Sequence, residues 1–293
     1  MTMDSPSPEF VDTHHHLWDL ENNPYSWLSG VGTPSETEYL GDYAAIRENY
    51  LIDSLLSDYA GHNIVKSVHV QADFSGEDPT AETRWLQAIA DKHGFPHGIV
   101  SHTDLRSPSA AAELDRHCES PNMRGVRMMG HEEILDDRDF RRGVGALSER
   151  DLSFDLSATP ETADQSFDLA SVFPDTSFIL THTGGPYERG PEYFQHWRTG
   201  MKRFAEAPNL AVKISGLGMR DRNWSVESIR PWVVETIEIL GVDRCMFGTN
   251  WPVDRLYSDF GTLMGAYRTI IREFSHDEQE ILLCRNAERY YRI

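Results

Sequence analysis

The sequence predicts an α/β fold, a closed (β/α)8 TIM barrel in a single domain, on three observations. Eight short apolar, β-branched runs recur along 293 residues. Amphipathic stretches of helical period separate them, the alternation expected of strand–helix units. The turn after the first run carries histidines, whereas an open doubly wound sheet would want a glycine-rich phosphate turn there. At 39% hydrophobic and 25% charged residues the composition is that of a globular protein, and barrels of this class use about 250 residues as one unit.

The units follow in order. The first run, 10–16, leads into a long Trp-, Pro- and Gly-bearing connection over 17–39 and then a helix near 43–61. Runs at 66–72, 97–102, 124–129 and 152–157 precede helical patterns at 81–93, 109–119, 138–149 and 163–173. Runs at 178–182, 210–215 and 244–248 precede helices at 190–205, 228–240 and 259–273. Residues 1–8 are polar and rich in Pro and Ser, and we expect a flexible tail at the start of a domain spanning 1–293.

A formal net charge of −20 repels phosphate backbones and anionic headgroups, so neither nucleic acid nor a membrane surface is an expected partner. An anionic substrate would need a local basic pocket, which makes each Arg or Lys near a strand end informative. Cys118, Cys245 and Cys284 are odd in number and widely spaced, which suggests neither a disulfide framework nor a zinc knuckle, and a cytoplasmic setting is expected. No run approaches about 18 apolar residues, and the start lacks the apolar stretch of a signal peptide.

In a barrel the chemistry lies where the strands end. On the first strand, period-two alternation puts Asp12, His14, His16 and Trp18 on one face and His15 on the other, so that two imidazoles address one centre. The sixth strand ends at His182, followed by a Gly-Gly-Pro turn that permits close approach of the backbone to a ligand. The eighth ends in Thr249-Asn250-Trp251-Pro252, with Asn250 facing the mouth and Asp254 four residues on. Arg127 and Lys213 are cations inside apolar strands, costly unless paired or used. They form either an anion clamp or, with Asp155 of the fifth strand, a buried salt bridge. Tyr25, Trp27 and Tyr187 in loops over the mouth suit a flat or ring-shaped substrate, and Arg189, Arg220 and Arg222 could take a second carboxylate. Packing or a backbone hydrogen bond is the expected use of His69, His97 and His102, of which His102, at a strand end, could look into the mouth; His131-Glu132 lacks the second His of an H-E-x-x-H zinc motif.

Asp12-Thr13-His14-His15-His16-Leu17-Trp18, Gly125-Val126-Arg127, His182 with Gly184-Gly185-Pro186, Lys213-Ile214-Ser215-Gly216-Leu217 and Met246-Phe247-Gly248-Thr249-Asn250-Trp251-Pro252-Val253 resemble motifs of the amidohydrolase superfamily. More closely, they resemble its amidohydrolase-related (amidohydrolase 2) group, which includes sugar-acid lactonases and 2-pyrone-4,6-dicarboxylate lactonase. The resemblance implies a hydrolase that opens the lactone of a small carboxylated or sugar-derived compound. It assigns His14 and His16 to metal or carbonyl polarisation, His182 to ligand or base, Arg127 and Lys213 to the anion, and Trp18 and Tyr187 to substrate contact.

In that family a strand-eight Asp activates the water, and Asn250 stands at that position here. Three replacements are open: Asp254 reaching in from the loop, His182 as base, or one Zn²⁺ or Mn²⁺ on His14, His16 and His182 carrying an acidified water. Arg127 and Asp155 stand where a two-metal site would need ligands, which speaks for one ion at most. Asn250 would then orient the water. Two alternatives stay open: a non-oxidative decarboxylase of an aromatic or dienoic acid on the same barrel, and a catalytically degenerate barrel that binds a small acid. Barrels of this kind often associate through their outer helices, so a homo-oligomer is also open.

Overall fold

Several strand segments are apolar on both faces, such as Phe178-Ile179-Leu180, and a sheet built from them must be covered on both sides. The computed structural model describes residues 8–30, 37, 39–131 and 133–293. Apart from Pro8, the tail expected at 1–8 lies outside the described residues, as does part of the 17–39 connection.

Eight parallel strands pair in chain order: β1 (Phe10–His15), β2 (Ile64–Val70), β3 (Gly98–Ser101), β4 (Met123–Val126), β5 (Ser153–Leu156), β6 (Phe178–Leu180), β7 (Leu210–Ile214) and β8 (Cys245–Phe247). Helices cross over between them: α1 (Ile52–Tyr59), α2 (Ala81–His93), α3 (Ala110–His117), α4 (Arg138–Ser148), α5 (Ala163–Val172), α6 (Pro191–Ala205) and α7 (Val226–Leu240). After β8 comes α8 (Phe260–Ile271), and α9 (His276–Glu280), a π-helical turn over Ile281–Arg285 and α10 (Asn286–Tyr291) end the chain. This is the (β/α)8 barrel that the strand–helix alternation predicts.

Alternation sorts each strand into two cores. Phe178, Leu180, Leu210, Val212 and Phe247 point outward into the layer beneath the helices. Ile179, Ala211 and Met246 point inward and fill the lumen with Val68, Val70 and Val100, closed off by Tyr290 and Tyr291 of α10. Burying each such side chain contributes about 1.5–3 kcal/mol. The lumen is thus a packed core, and the space for chemistry is left at the strand ends.

The barrel closes through the segment after β8. The Asn250 N–H donates to the His14 carbonyl at 2.7 Å, and the His16 N–H donates to the Trp251 carbonyl at 2.7 Å. Gly248 is required at this seam, because a Cβ there would lie 2.8 Å from His14 Cβ and 2.9 Å from the His14 backbone nitrogen.

Three expectations are corrected. The helix near 43–61 is broken into a 3-10 turn (Ala44–Ile46) and α1, because Tyr50 is extended and exchanges two backbone hydrogen bonds of 3.0 Å with Trp18. The C-terminal helices were not anticipated, although Ser275 and Glu278 form a capping box that is legible in the sequence. On β1, a register shift between Asp12 and His15 turns Asp12 away from His14. Asp12 accepts instead from Tyr59 Oη at 2.7 Å, Thr249 N at 2.8 Å and Thr249 Oγ1 at 2.6 Å.

Candidate active site

The strand ladders stop one to three residues before the polar groups that matter: His16 follows β1, Arg127 follows β4, His182 lies just beyond β6 and Asn250 beyond β8. Freed from pairing, these residues line a cavity of about 360 Å³ at the C-terminal mouth. That is room for a small metabolite. Two of them sit in the left-handed backbone region, His182 at φ 50° and Asn250 at φ 55°. Such a conformation costs roughly 1–3 kcal/mol for a non-glycine residue, less for Asn, and is retained where surrounding structure holds it. Gly216, at φ 62°, lets the neighbouring loop pass His182, since a Cβ there would lie 2.5 Å from His182 Nδ1.

The three imidazoles are neighbours. Ring centroids lie 5.1 Å apart for His14 and His16 and 4.6 Å apart for His14 and His182. His16 Nδ1 donates to the Val70 carbonyl at 2.7 Å, which leaves Nε2 as its lone-pair nitrogen, and His182 Nδ1 is 2.9 Å from Ser215 Oγ. Both ring nitrogens of His14 are buried without a hydrogen-bond partner. Burial holds all three rings neutral. For His182, burial and then Arg127 and Lys213 depress protonation to about 3; burial and Lys213 act most on His14, burial and Arg127 on His16.

Neutral imidazoles are the form that a metal takes. Among the described residues, however, no three His, Cys, Asp or Glu donors are arranged to hold one ion. Two cations also act on these rings, a setting unfavourable to a dication. No step below passes through an ion.

The two strand cations have different fates. Lys213 is fully buried and donates to Asp155 Oδ2 at 2.6 Å, while Tyr291 Oη donates to Asp155 Oδ1 at 2.8 Å. It lies outside the cavity wall, and of the two readings of this residue the buried salt bridge is the one present. Arg127 lines the cavity, donates from Nη2 to the Gln71 carbonyl at 2.6 Å and forms no ion pair among the described residues. Its buried Nε has no partner. Arg127 is thus a desolvated cation beside neutral imidazoles.

Asn250 donates from Nδ2 to Asp254 Oδ1 at 2.8 Å. Asp254 stands behind Asn250, 1% exposed, and burial pushes its carboxyl up to about 7. Trp18 also stands behind the wall, stacked on His16 and donating to the Glu48 carbonyl at 2.7 Å. Tyr187 lies on the rim as anticipated, half exposed. Arg220 is held between two rings, 4.2 Å from the Tyr39 centroid and 4.1 Å from that of Tyr187, and all three line the mouth. Arg189 instead turns to the Leu217 carbonyl and the Trp232 ring.

Sequence reasoning missed Tyr39, Asp73 and Met129 in the wall and Ser215 behind His182. Asp73 carried a faint signal, as an Asp before an aromatic in a Gly-bearing loop. Tyr39 carried none, because it is brought in from a long connection.

Known proteins agree with this architecture. The amidohydrolase family model matches residues 11–293. The uncharacterized protein y4mH of Sinorhizobium fredii is 43% identical over 97% of this chain and 98% of its own. An L-fucono-1,5-lactonase of Burkholderia ambifaria is 25% identical over 97% of this chain and 95% of its own. Among solved structures, an amidohydrolase from Burkholderia multivorans with bound zinc superposes with a TM-score of 0.82 at 23% identity, covering 97% of this chain and 99% of that one. With the family model matched over residues 11–293 and a relative 43% identical over nearly the full length, the chain belongs to the amidohydrolase family.

Proposed function

We propose that the protein hydrolyses a lactone of a small carboxylated or sugar-derived compound. The observation that carries this reading is Arg127, a buried cation without an ion pair among the described residues that lines a cavity shared with His16 and His182, in a protein of net charge −20. Such a cation calls for an anion from the ligand. Similarity to a lactonase over nearly the full length supports the bond type.

In this reading Arg127 binds the substrate carboxylate or the developing oxyanion. Water adds to the lactone carbonyl carbon and gives its proton to the unbonded Nε2 of His182. The ring C–O bond then breaks, and the same proton passes to the departing ring oxygen, leaving a hydroxy acid. His182 is a weak base here because burial, and after it Arg127 and Lys213, depress it. An anion bound on Arg127 would offset the Arg127 part of that shift and so raise the basicity of His182. A positioned base of this kind is worth roughly 10²–10⁴ in rate.

The test is a panel of aldonolactones and pyrone carboxylates, each with and without added Zn²⁺ or Mn²⁺, followed by His182→Asn on any substrate found. Turnover of a lactone, reduced at least about 100-fold in the variant, is expected. No lactone opened under any condition, or CO₂ released instead from aromatic or dienoic acids, would replace this reading with the decarboxylase. Binding of such acids without turnover would leave a small-acid-binding barrel.

A further inference from the structure

Asn250 and Asp254 form a closed unit at the end of β8. The Asn250 backbone is pinned twice: its N–H donates to the His14 carbonyl at 2.7 Å, and its carbonyl accepts from the Asp254 N–H at 3.1 Å. Its side chain is pinned once, by Nδ2 donating to Asp254 Oδ1 at 2.8 Å. Ionised, Asp254 only accepts, so in that state the NH₂ end of the amide faces Asp254 and the oxygen end faces the other way. Asn250 lines the cavity and Asp254 does not. The second oxygen of Asp254 is buried and unpartnered. No cation pairs with it among the described residues, and the titratable side chains that feel its charge are Tyr39, Tyr257 and Tyr267.

We infer that Asp254 is a positioning residue that holds the Asn250 amide with its oxygen toward the cavity, making the end of β8 an acceptor for a proton-bearing ligand group. In the lactonase reading, on which this role in turnover rests, that group is the attacking water: Asn250 Oδ1 accepts one of its hydrogens while the other goes to His182. Asp254 is then not the base. Its charge acts through the amide, by excluding the flipped rotamer that would offer an NH₂ donor to the cavity and point the water's lone pair the wrong way. An amide and a carboxylate thereby share one task, orientation at the cavity and charge behind it.

Two measurements test this. The first needs no substrate: the side-chain NH₂ resonances of Asn250, assigned by their loss in Asn250→Asp, are followed by ¹⁵N NMR through pH 6–8 and compared in Asp254→Asn. A pH-dependent shift in wild type that disappears in the variant is expected; identical, pH-independent signals in both would overturn the inference. The second is kinetic, on whichever lactone is turned over. Asp254→Asn should lower kcat about 10–100-fold with little change in KM. The exchanged pair Asn250→Asp with Asp254→Asn keeps an amide–carboxylate hydrogen bond, and hence folding, but puts the charge at the cavity; it should recover to within about tenfold of wild type. Full activity of Asp254→Asn, or an exchanged pair no better than the single variant, would overturn the role. A wild type inactive on every lactone would remove the hydrolytic reading, while the NMR comparison would still decide the orientation.

Discussion

The backbone N–H of Asn250 donates to the carbonyl of His14, 236 positions away in the chain, at 2.7 Å. With the bond from His16 to Trp251 it closes the barrel, and it sets the cavity-lining Asn250 beside the buried His14. Fold closure and site assembly are the same event here, and several consequences can be measured.

Gly248 is where that closure is most exposed to substitution. In Gly248→Ala the added methyl would meet His14 Cβ and backbone nitrogen, neither of which can swing aside. A loss of about 2–3 kcal/mol in chemical denaturation is expected, with activity falling further than stability because His14 itself is displaced. Unchanged stability would mean that the seam is looser than the geometry implies.

Arg127 should discriminate by substrate charge. Arg127→Met is expected to lower kcat/KM about 10²–10³-fold on a carboxylated lactone and much less on a neutral sugar lactone. Equal losses on both would assign the guanidinium to the oxyanion alone; no loss on either would remove it from the mechanism.

Lys213 and Asp155 should behave as a buried pair. Lys213→Met leaves an uncompensated carboxylate held only by Tyr291, and a loss of about 3–5 kcal/mol is expected. Adding Asp155→Leu to that variant should recover a large part of it in denaturant titrations. A double variant as unstable as the single would refute the pairing as the source of the loss.

Acid should unfold this protein early. His14, His15, His16, His69 and His182 all have folded pKa values depressed by burial, so the unfolded chain takes up protons near 6.5 that the native state refuses. Stability is therefore lost as pH falls below that value. Asp12, Glu82 and Asp254 are raised by burial and act oppositely, binding a proton in the native state first; Glu82 and Asp254 lie near 7. The depressed imidazoles outnumber the raised carboxyls, so the net direction is a loss of stability as pH falls below about 6.5. Thermal midpoints across this range would check the sign; a flat profile would contradict the buried-neutral assignment.

Much of this was legible along the chain. Every helix from α2 to α8 lies within a few residues of its predicted bounds, because each carries its own apolar stripe and sits between strand runs that need no distant partner to be recognised. The failures were of another kind. The 43–61 helix broke where Tyr50 paired with Trp18, and no local signal announces a partner 32 positions away. Asp12 left the face shared by His14 because a register shift interrupts the strict period of two. Lys213 and Arg127 read alike in sequence, as lone cations in apolar strands. Only the fold distinguished them, by giving one an Asp155 and the other an open cavity.

The sequence by itself determined the elements, their alternation and the identity of the groups that would stand at strand ends, since periodicity and residue chemistry are local properties. Tertiary structure decided which of those groups meet and in what electrical state. Neutral imidazoles, a Lys213 paired with Asp155, an Arg127 that lines the cavity and an Asn250 amide bonded to Asp254 all follow from burial and from neighbours brought together by closure of the sheet. Desolvation and pairing energies depend on distances in space, and no spacing along the chain encodes them.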